Sequence, residues 1–104
     1  MTPAESIAHL DAAIARRGET VTLKRGATSV TVKAMVRGKS ASELGGTTGQ
    51  MKWSIVVSPT TLGALGVPRL DDDVVIKGKD CEVSLAEPVH MGGTLVRVNL
   101  EAAG

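Results

Sequence analysis

Residues 21–32, VTLKRGATSVTV, decide how this chain folds. Apolar and polar residues alternate on both sides of Gly26-Ala27, which is the period-2 pattern of β-strands that bury one face. A two-residue turn at that point pairs Leu23 with Val30 and keeps the alternating valines on the same face. Glycine at the first turn position favours a type II′ turn. The stretch therefore predicts a β-hairpin with one buried face.

A second hairpin is predicted further along the chain. A turn at Gly78-Lys79 pairs Ile76 with Cys81 on the buried face and places Lys77 beside Asp80 on the solvent side. The apolar residues after the turn, up to Leu85, alternate and are expected to face inward.

Three more segments complete the predicted β-structure. Residues 51–57 and 96–101 alternate as strands, and residues 58–65 read as a short helical turn with Pro59 at its first position. Residues 88–93 are predicted to form a turn. The residues expected in the core are Val21, Leu23, Val30, Val32, Ile55, Val57, Val74, Ile76, Val83 and Val98, and those expected to be exposed are Lys77, Glu82 and Arg97.

A helix is predicted over residues 3–17. Thr2 and Glu5 have the spacing of a capping box, and Gly18 marks the end of the helix. Its apolar stripe is thin and contains Ile7, Leu10 and Ile14. Because a helix of this length is marginal alone in water, we expect it to dock on another surface.

Length and composition limit the class of protein. The chain has 104 residues, is 42% hydrophobic and 22% charged, and carries a formal net charge of +1. These values predict one domain over residues 1–104 and exclude a disordered tail or a basic DNA-coating protein. A single cysteine, no membrane span and no signal-peptide pattern indicate a chain made in a reducing cytoplasm. The predicted fold is mainly β, a small antiparallel barrel or sandwich of about six strands over residues 19–100, with the N-terminal helix.

Residues 38–49, GKSASELGGTTG, are the exception to the short connections. Loops of this length in a compact domain are usually functional or disordered. One interpretation is an insertion without a role, since loop length costs little free energy. The other is a binding arm in which Leu44 is the sizeable apolar anchor.

Residues with catalytic or ligand-binding chemistry are few. His9, Cys81 and His90 lack metal-ligand spacing, so no metal, cofactor or catalytic residue is predicted. Cys81 is expected to be a buried thiol, and the Asp71-Asp72-Asp73 run to be a solvated turn. Trp53, the single aromatic residue, is expected in the core, with an exposed interface anchor as the alternative.

The order and spacing of several short motifs resemble the lambda-type head–tail joining proteins of long-tailed bacteriophages. The similarity runs over about residues 8–100 and is most specific in the helix. The motifs are LDAAIAR at 10–16, VRG at 36–38, LDDDVVIKG at 70–78, EVSLAEP at 82–88 and GGTLV at 92–96, with Asp72 standing where the family has glycine.

This resemblance implies a small β-barrel that forms a ring, expected to be a hexamer, in the neck of the virion. Its partners would be the portal and adaptor proteins on the head side and the tail terminator or tail tube on the other, with packaged DNA only passing through the lumen. The residues expected to contact the head side or a neighbour are Leu10, Asp11, Ile14, Arg16 and Arg17. The expected assembly loop contains Lys39, Ser40, Glu43, Leu44, Gly45, Gly46, Thr47 and Thr48.

Three alternatives belong to other classes. The chain would be a tail-terminator or tail-tube subunit of a phage or phage-like particle, an OB-like nucleic-acid-binding domain, or an enzyme with an unrecognised site. The near-zero net charge and the lack of stacking aromatics oppose nucleic-acid binding. The lack of a paired acid and base or an activated nucleophile opposes catalysis.

Overall fold

The structure is a computed structural model that describes residues 1–39 and 52–103. Within this part of the chain, one helix precedes six strands that form a closed antiparallel barrel. The elements are α1 (Pro3–Arg17), β1 (Glu19–Arg25), β2 (Thr28–Lys39), β3 (Lys52–Val57), β4 (Asp73–Ile76), β5 (Lys79–Met91) and β6 (Thr94–Ala103). Two short 3-10 helices, Pro59–Thr61 and Gly63–Leu65, connect β3 to the segment before β4. The predicted fold class is confirmed, and the barrel is closed rather than a sandwich.

The barrel is made of two three-stranded meanders. The strand order around it is β1-β2-β3-β6-β5-β4, so β1 pairs with β4 and β3 pairs with β6 to close the two seams. In this ring of six strands, β5 lies diametrically opposite β2. That placement decides which surfaces of the subunit face away from each other.

The first hairpin has the predicted register. Leu23 lies opposite Val30, and Val21 lies opposite Val32. Gly26 has a φ of 58°, as the first position of a type II′ turn requires.

The second hairpin differs from the prediction by two residues. Ile76 lies opposite Lys79, not Cys81, because the turn residues are Lys77 and Gly78. Both have positive φ, 53° and 79°, which is the geometry of a type I′ turn. A shift of two residues leaves each side chain on its predicted face, so the buried residues are unchanged.

The same shift changes the neighbours of two charged residues. Lys77 does not lie beside Asp80; its Nζ lies 3.7 Å from a carboxylate oxygen of Glu19. Asp80 instead lies 3.4 Å from Lys24 on β1.

Strand β5 is longer than predicted and carries a β-bulge. It continues to Met91, so the predicted turn over residues 88–93 is wrong except for Gly92 and Gly93. The register shifts between Val83 and Leu85, which leaves Ser84 without an opposite residue on β6. A bulge reverses which side chains face inward beyond it. Leu85 therefore points outward and is 45% exposed, contrary to the prediction.

The core is aliphatic, as the composition requires. Every predicted core residue is buried except Val30, which is half-buried and packs against the core. Leu62 and Leu65, from the 3-10 segments after β3, belong to the same buried cluster. The residues predicted to be exposed, Lys77, Glu82 and Arg97, are exposed.

Helix α1 begins and ends at the predicted residues. The Thr2 backbone N–H donates to Glu5 Oε1 at 3.0 Å, and the Glu5 N–H donates to Thr2 Oγ1 at 3.1 Å, which completes the capping box. Gly18 ends the helix in an extended conformation, with a φ of −74°. The reason for glycine here is space, because a Cβ would lie 2.5 Å from the Ile14 carbonyl oxygen. The helix packs on β6, β2 and the first 3-10 helix.

The predicted loop begins later than expected. Gly38 and Lys39 are the last residues of β2, opposite Trp53 and Lys52 of β3. Gly38 leaves room for the indole, because a Cβ there would lie 3.1 Å from Trp53 Cζ3. Residues 40–49 of the predicted loop lie outside the described residues.

Candidate functional site

The helix residues predicted as partner contacts divide into two groups. Ile14 is buried, Leu10 is half-buried, and Asp11 Oδ2 accepts a hydrogen bond of 2.9 Å from Thr60 Oγ1. Within one subunit these three hold the helix on the barrel. Arg16 and Arg17, in the last turn, are exposed and free to meet another surface.

A cleft of about 190 Å³ lies where the helix meets the barrel. Its wall is mainly apolar and includes Ile14, Ala15 and Ser58, with the exposed Lys33 of β2 at one side. Lys33 of β2 and Arg16 and Arg17 of α1 are all exposed, and we call these three bases the basic face.

The residues predicted for the assembly loop are mostly outside the structure. Lys39 is the last residue of β2, opposite Lys52. The remaining ones lie outside the described residues: Ser40, Glu43, Leu44, Gly45, Gly46, Thr47 and Thr48.

One carboxylate of the aspartate run is buried, which the sequence reasoning missed. Asp72 is 5% exposed and accepts hydrogen bonds from Arg25 Nε at 2.8 Å and Nη2 at 2.6 Å. The Arg69 backbone N–H donates to the same carboxylate at 2.8 Å. The prediction of a solvated turn holds for Asp71 and Asp73, which are exposed, but is wrong for Asp72.

The Arg25–Asp72 pair fixes the segment that leads into β4. Arg25 also donates to the carbonyl oxygens of Leu65, at 3.0 Å, and Val67, at 2.9 Å. The Asp72 carbonyl accepts from the Val83 N–H at 2.8 Å, which joins the same segment to β5. This bidentate pair therefore ties β1, the 65–72 segment and β5 together.

The pair makes stability depend on pH. The hydrogen bonds from Arg25 lower the pKa of the Asp72 carboxyl below its ordinary value of about 3.9. Below that value the unfolded chain binds more protons than the native protein, so the free energy of unfolding falls as the pH falls. Denaturant melts between about pH 2.5 and 6 should show this loss, and Asp72→Asn should flatten it. Asp80→Asn, which alters the exposed pair with Lys24, is the control and should leave the slope as in the native chain.

A second apolar feature of the surface is a groove between the 67–70 segment and β5. It has a volume of about 550 Å³, and we call it the apolar groove. Three large apolar residues along it are exposed, Val67 by 40%, Leu70 by 58% and Leu85 by 45%. Ala86 and Pro88 of β5 complete its floor. Leu85 contributes to the groove because the Ser84 bulge turns its side chain outward, and alternation in the sequence gives no signal for that bulge.

Charge is unevenly distributed around the barrel. Among the described residues, the exposed carboxylates on β4, β5 and the loop before β4 are Asp71, Asp73, Asp80, Glu82 and Glu87, which we call the acidic rim. Arg69, Lys77 and Lys79 are exposed bases in the same part of the chain, and Arg69 lines the apolar groove itself. The basic face lies on β2 and the end of α1, whereas the acidic rim lies on β4, β5 and the loop before them. Because β2 and β5 are diametrically opposite, the two charged surfaces face in different directions.

The nucleophilic and metal-ligating side chains are dispersed in the described part of the chain. Cys81 is buried, and burial raises the pKa of its thiol, which opposes thiolate formation. His9 and His90 are exposed on different elements. Across residues 1–39 and 52–103, no group of three or more His, Cys, Asp or Glu side chains is placed to hold a metal ion.

Trp53 lies at the margin of the core, close to its predicted place. It is half-buried and packs against the core, and its Nε1 is buried without a hydrogen-bond partner among the described residues. Lys77 Nζ lies 5.8 Å from the centre of its ring, within the range of a cation–π contact.

Comparison with known proteins finds no match for this chain. No protein-family model, no curated protein and no solved structure matches it. The helix in the described part of the chain is too short and too polar to cross a membrane.

Proposed function

We propose that this chain is a structural protein of the phage neck, where it forms a ring that completes the DNA-filled head and provides the surface on which the tail docks. The observation that carries the proposal is the closed six-strand barrel with one N-terminal helix in the described residues. That is the fold which the motif resemblance implies.

The surfaces of the subunit support a role in assembly. A neck subunit needs contacts with copies of itself and with rings above and below it. The apolar groove and the basic face lie on different sides of the barrel, so that both can be occupied at once. Exposed contiguous apolar surface of this kind marks interaction sites in small proteins.

A joining assay tests the proposal. DNA-filled heads and free tails are prepared from a phage that lacks this chain, and the purified protein is added. We expect joined particles in electron micrographs and infectivity only when the protein is present. Joining at full yield without the protein contradicts the proposal.

Sedimentation of the protein with each partner separates the neck role from a tail role. A neck protein should sediment with filled heads before tails are added. Sedimentation with isolated tails, and none with heads, would instead indicate a tail terminator or a tail-tube subunit.

The segment from Ser40 to Thr48 is predicted to be required for joining and not for folding. Replacing it with a short Gly-Ser turn should leave the melting temperature nearly unchanged, because Leu44 is the one large apolar residue that the replacement removes. The same variant should lose the joining of heads to tails. Gly92→Asn, which keeps a type I′ turn at the β5–β6 connection, is the matched control and should join normally. Normal yields from the segment-replaced protein would show that the insertion has no role.

A further inference from the structure

We propose that the open edge of β5 beside the apolar groove binds an extended segment of a partner protein as an added β-strand. The apolar side chains of that segment would fill the groove, and a carboxylate on it would meet Arg69. Binding of this kind goes beyond the proposed neck role and does not depend on it.

One side of β5 has a neighbouring strand along only part of its length. The β4–β5 ladder ends at Glu82. Val83 still bonds on that side, since its N–H donates to the Asp72 carbonyl at 2.8 Å and its carbonyl accepts from the Asp71 N–H at 3.1 Å. Beyond this point β5 continues to Met91, and in the described part of the chain no strand pairs with this side of it. The backbone groups on such an edge are a template for another strand.

Pro88 indicates which backbone groups face the open edge. Proline has no N–H, so within a sheet it occupies positions where that group would point away from the ladder. Pro88 lies opposite Val98 of β6, and its nitrogen therefore faces the open side. Because the backbone direction alternates along a strand, Ala86 and His90 present their N–H and C=O groups on the same side. The edge thus offers two residues that donate and accept, with one between them that only accepts, which favours a short added strand over an extended sheet.

The apolar groove runs along this edge and not over one face of the sheet. Leu85 and Ala86 are consecutive residues whose side chains point to opposite faces of β5, and both line the groove. The other wall is the 67–70 segment, in which Val67 and Leu70 are exposed. The volume of about 550 Å³ is within the range of clefts that enclose ligands. An added strand places alternate side chains in such a cleft while its backbone supplies the hydrogen bonds.

Arg69 determines which charge the partner segment needs. It is the one charged residue that lines the groove, and its backbone N–H donates to the Asp72 carboxylate at 2.8 Å. That carboxylate is already bound by Arg25, so the Arg69 guanidinium is available for another one. The exposed charges elsewhere on this side, which are the acidic rim together with Lys77 and Lys79, have both signs and select no net charge. The preference for an acidic residue is therefore local to Arg69.

Selection from a random library of short peptides tests the proposed site without knowledge of the natural partner. Peptides that bind the native protein are kept, and those that also bind Leu85→Lys protein are discarded. Thr94→Lys adds the same charge at an exposed site beside the β5–β6 turn and is the matched control. We expect selected peptides to have apolar residues at alternate positions and an Asp or Glu. They should bind the control as they bind the native protein, and bind Leu85→Lys at least about tenfold more weakly. Circular dichroism of each variant checks that the barrel is folded.

Arg69→Gln tests the carboxylate contact. Each selected peptide is compared with a twin in which its acidic residue is replaced by lysine. The native protein should prefer the acidic peptide by on the order of tenfold, and Arg69→Gln should bring the two affinities close together. An equal preference in the two proteins would show that Arg69 does not meet the carboxylate.

Amide hydrogen exchange measured by NMR tests the backbone pairing. A saturating selected peptide should slow the exchange of the Ala86 and His90 amides by at least about tenfold, because both become hydrogen-bonded. The Glu87 amide faces β6 and is the internal reference, whose exchange should change little. Methylation of the peptide nitrogens at alternate positions removes the donors and should abolish binding in one of the two possible phases.

Three results would overturn the proposed strand addition. One is a selection that returns no peptide able to distinguish the native protein from Leu85→Lys. Another is binding that leaves exchange at Ala86 and His90 unchanged, which indicates a side-chain contact without backbone pairing. The third is slowed exchange at these amides when the protein alone is concentrated, which identifies the occupant as a second copy. The joining assay tests the neck role separately, so failure here leaves that role standing.

Discussion

Replacing Arg25 with alanine is expected to lower the free energy of unfolding by about 3–5 kcal/mol. The substitution leaves the Asp72 carboxylate buried without its ionic partner and removes the donors to the Leu65 and Val67 carbonyls. An uncompensated buried charge is among the costliest defects in a small domain. Because domains of this size are stable by only about 5–15 kcal/mol, a large share of the total is lost. Urea denaturation at neutral pH measures the change.

Lys24→Ala is the matched control for Arg25→Ala. Lys24 is the preceding residue on β1, and its pair with Asp80 is exposed on both sides, by 42% and 78% of the side chains. An exposed pair contributes about 0–1 kcal/mol, so this variant should melt almost as the native chain does. Equal losses from the two substitutions would show that the Arg25–Asp72 pair has no special role.

Replacing Ile76 with alanine is expected to cost about 2–5 kcal/mol. Ile76 is 1% exposed at the end of β4, where it lies opposite Val21 across the β1–β4 seam. Truncation removes buried methyl groups and leaves a cavity in a core whose fully buried members are all aliphatic or Cys81.

Val75→Ala on the same strand is the control for Ile76→Ala. Val75 points to the other face of β4 and is half-buried opposite Asp80. Its truncation should cost less than half as much in the same urea melts. A loss below about 0.5 kcal/mol for Ile76→Ala would mean that the buried face of β4 is assigned incorrectly.

The sequence was sufficient for the existence of the six strands and, outside the part of β5 after its bulge, for which face each one buries. In the first hairpin, glycine at the first turn position and the alternating pattern both specify the pairing of Leu23 with Val30. In the second, turns at Gly78-Lys79 and at Lys77-Gly78 put the same side chains in the core. The alternating pattern therefore determines which face of each strand is buried, but it allows two registers that differ by two residues. The type I′ turn, with Lys77 at positive φ, selects between these registers.

The features that were missed depend on contacts between distant parts of the chain. Asp72 reads as part of a polar turn because its partner, Arg25, lies 47 positions away and looks like an ordinary surface base. The outward turn of Leu85 depends on the Ser84 bulge, where the Ser84 hydroxyl donates to the Glu101 carbonyl at 3.3 Å. Neither contact leaves a local pattern in the residues beside it.

The candidate site was predicted only in part. The exposed arginines at the end of α1 follow from their position in the last helical turn, where they are solvated and complement the helix carbonyls. The apolar groove does not follow from the sequence, because it is assembled from a loop and a bulged strand. Ile14 and Asp11 were predicted as partner contacts, and within the subunit they dock α1 on the barrel.

The two seams of the barrel also decide when this chain is able to fold. The β3–β6 seam joins Trp53 to Ala102, and the β1–β4 seam joins Val21 to Ile76, so both depend on residues far apart in sequence. During synthesis, the first meander emerges from the ribosome before β6 does. Its apolar face therefore stays uncovered until β6 is available to pair with β3. Chains whose contacts are mostly distant fold slowly, in milliseconds to seconds rather than microseconds. Enclosure of the core is therefore a late event in the life of each new chain, and it follows the emergence of β6 from the ribosome.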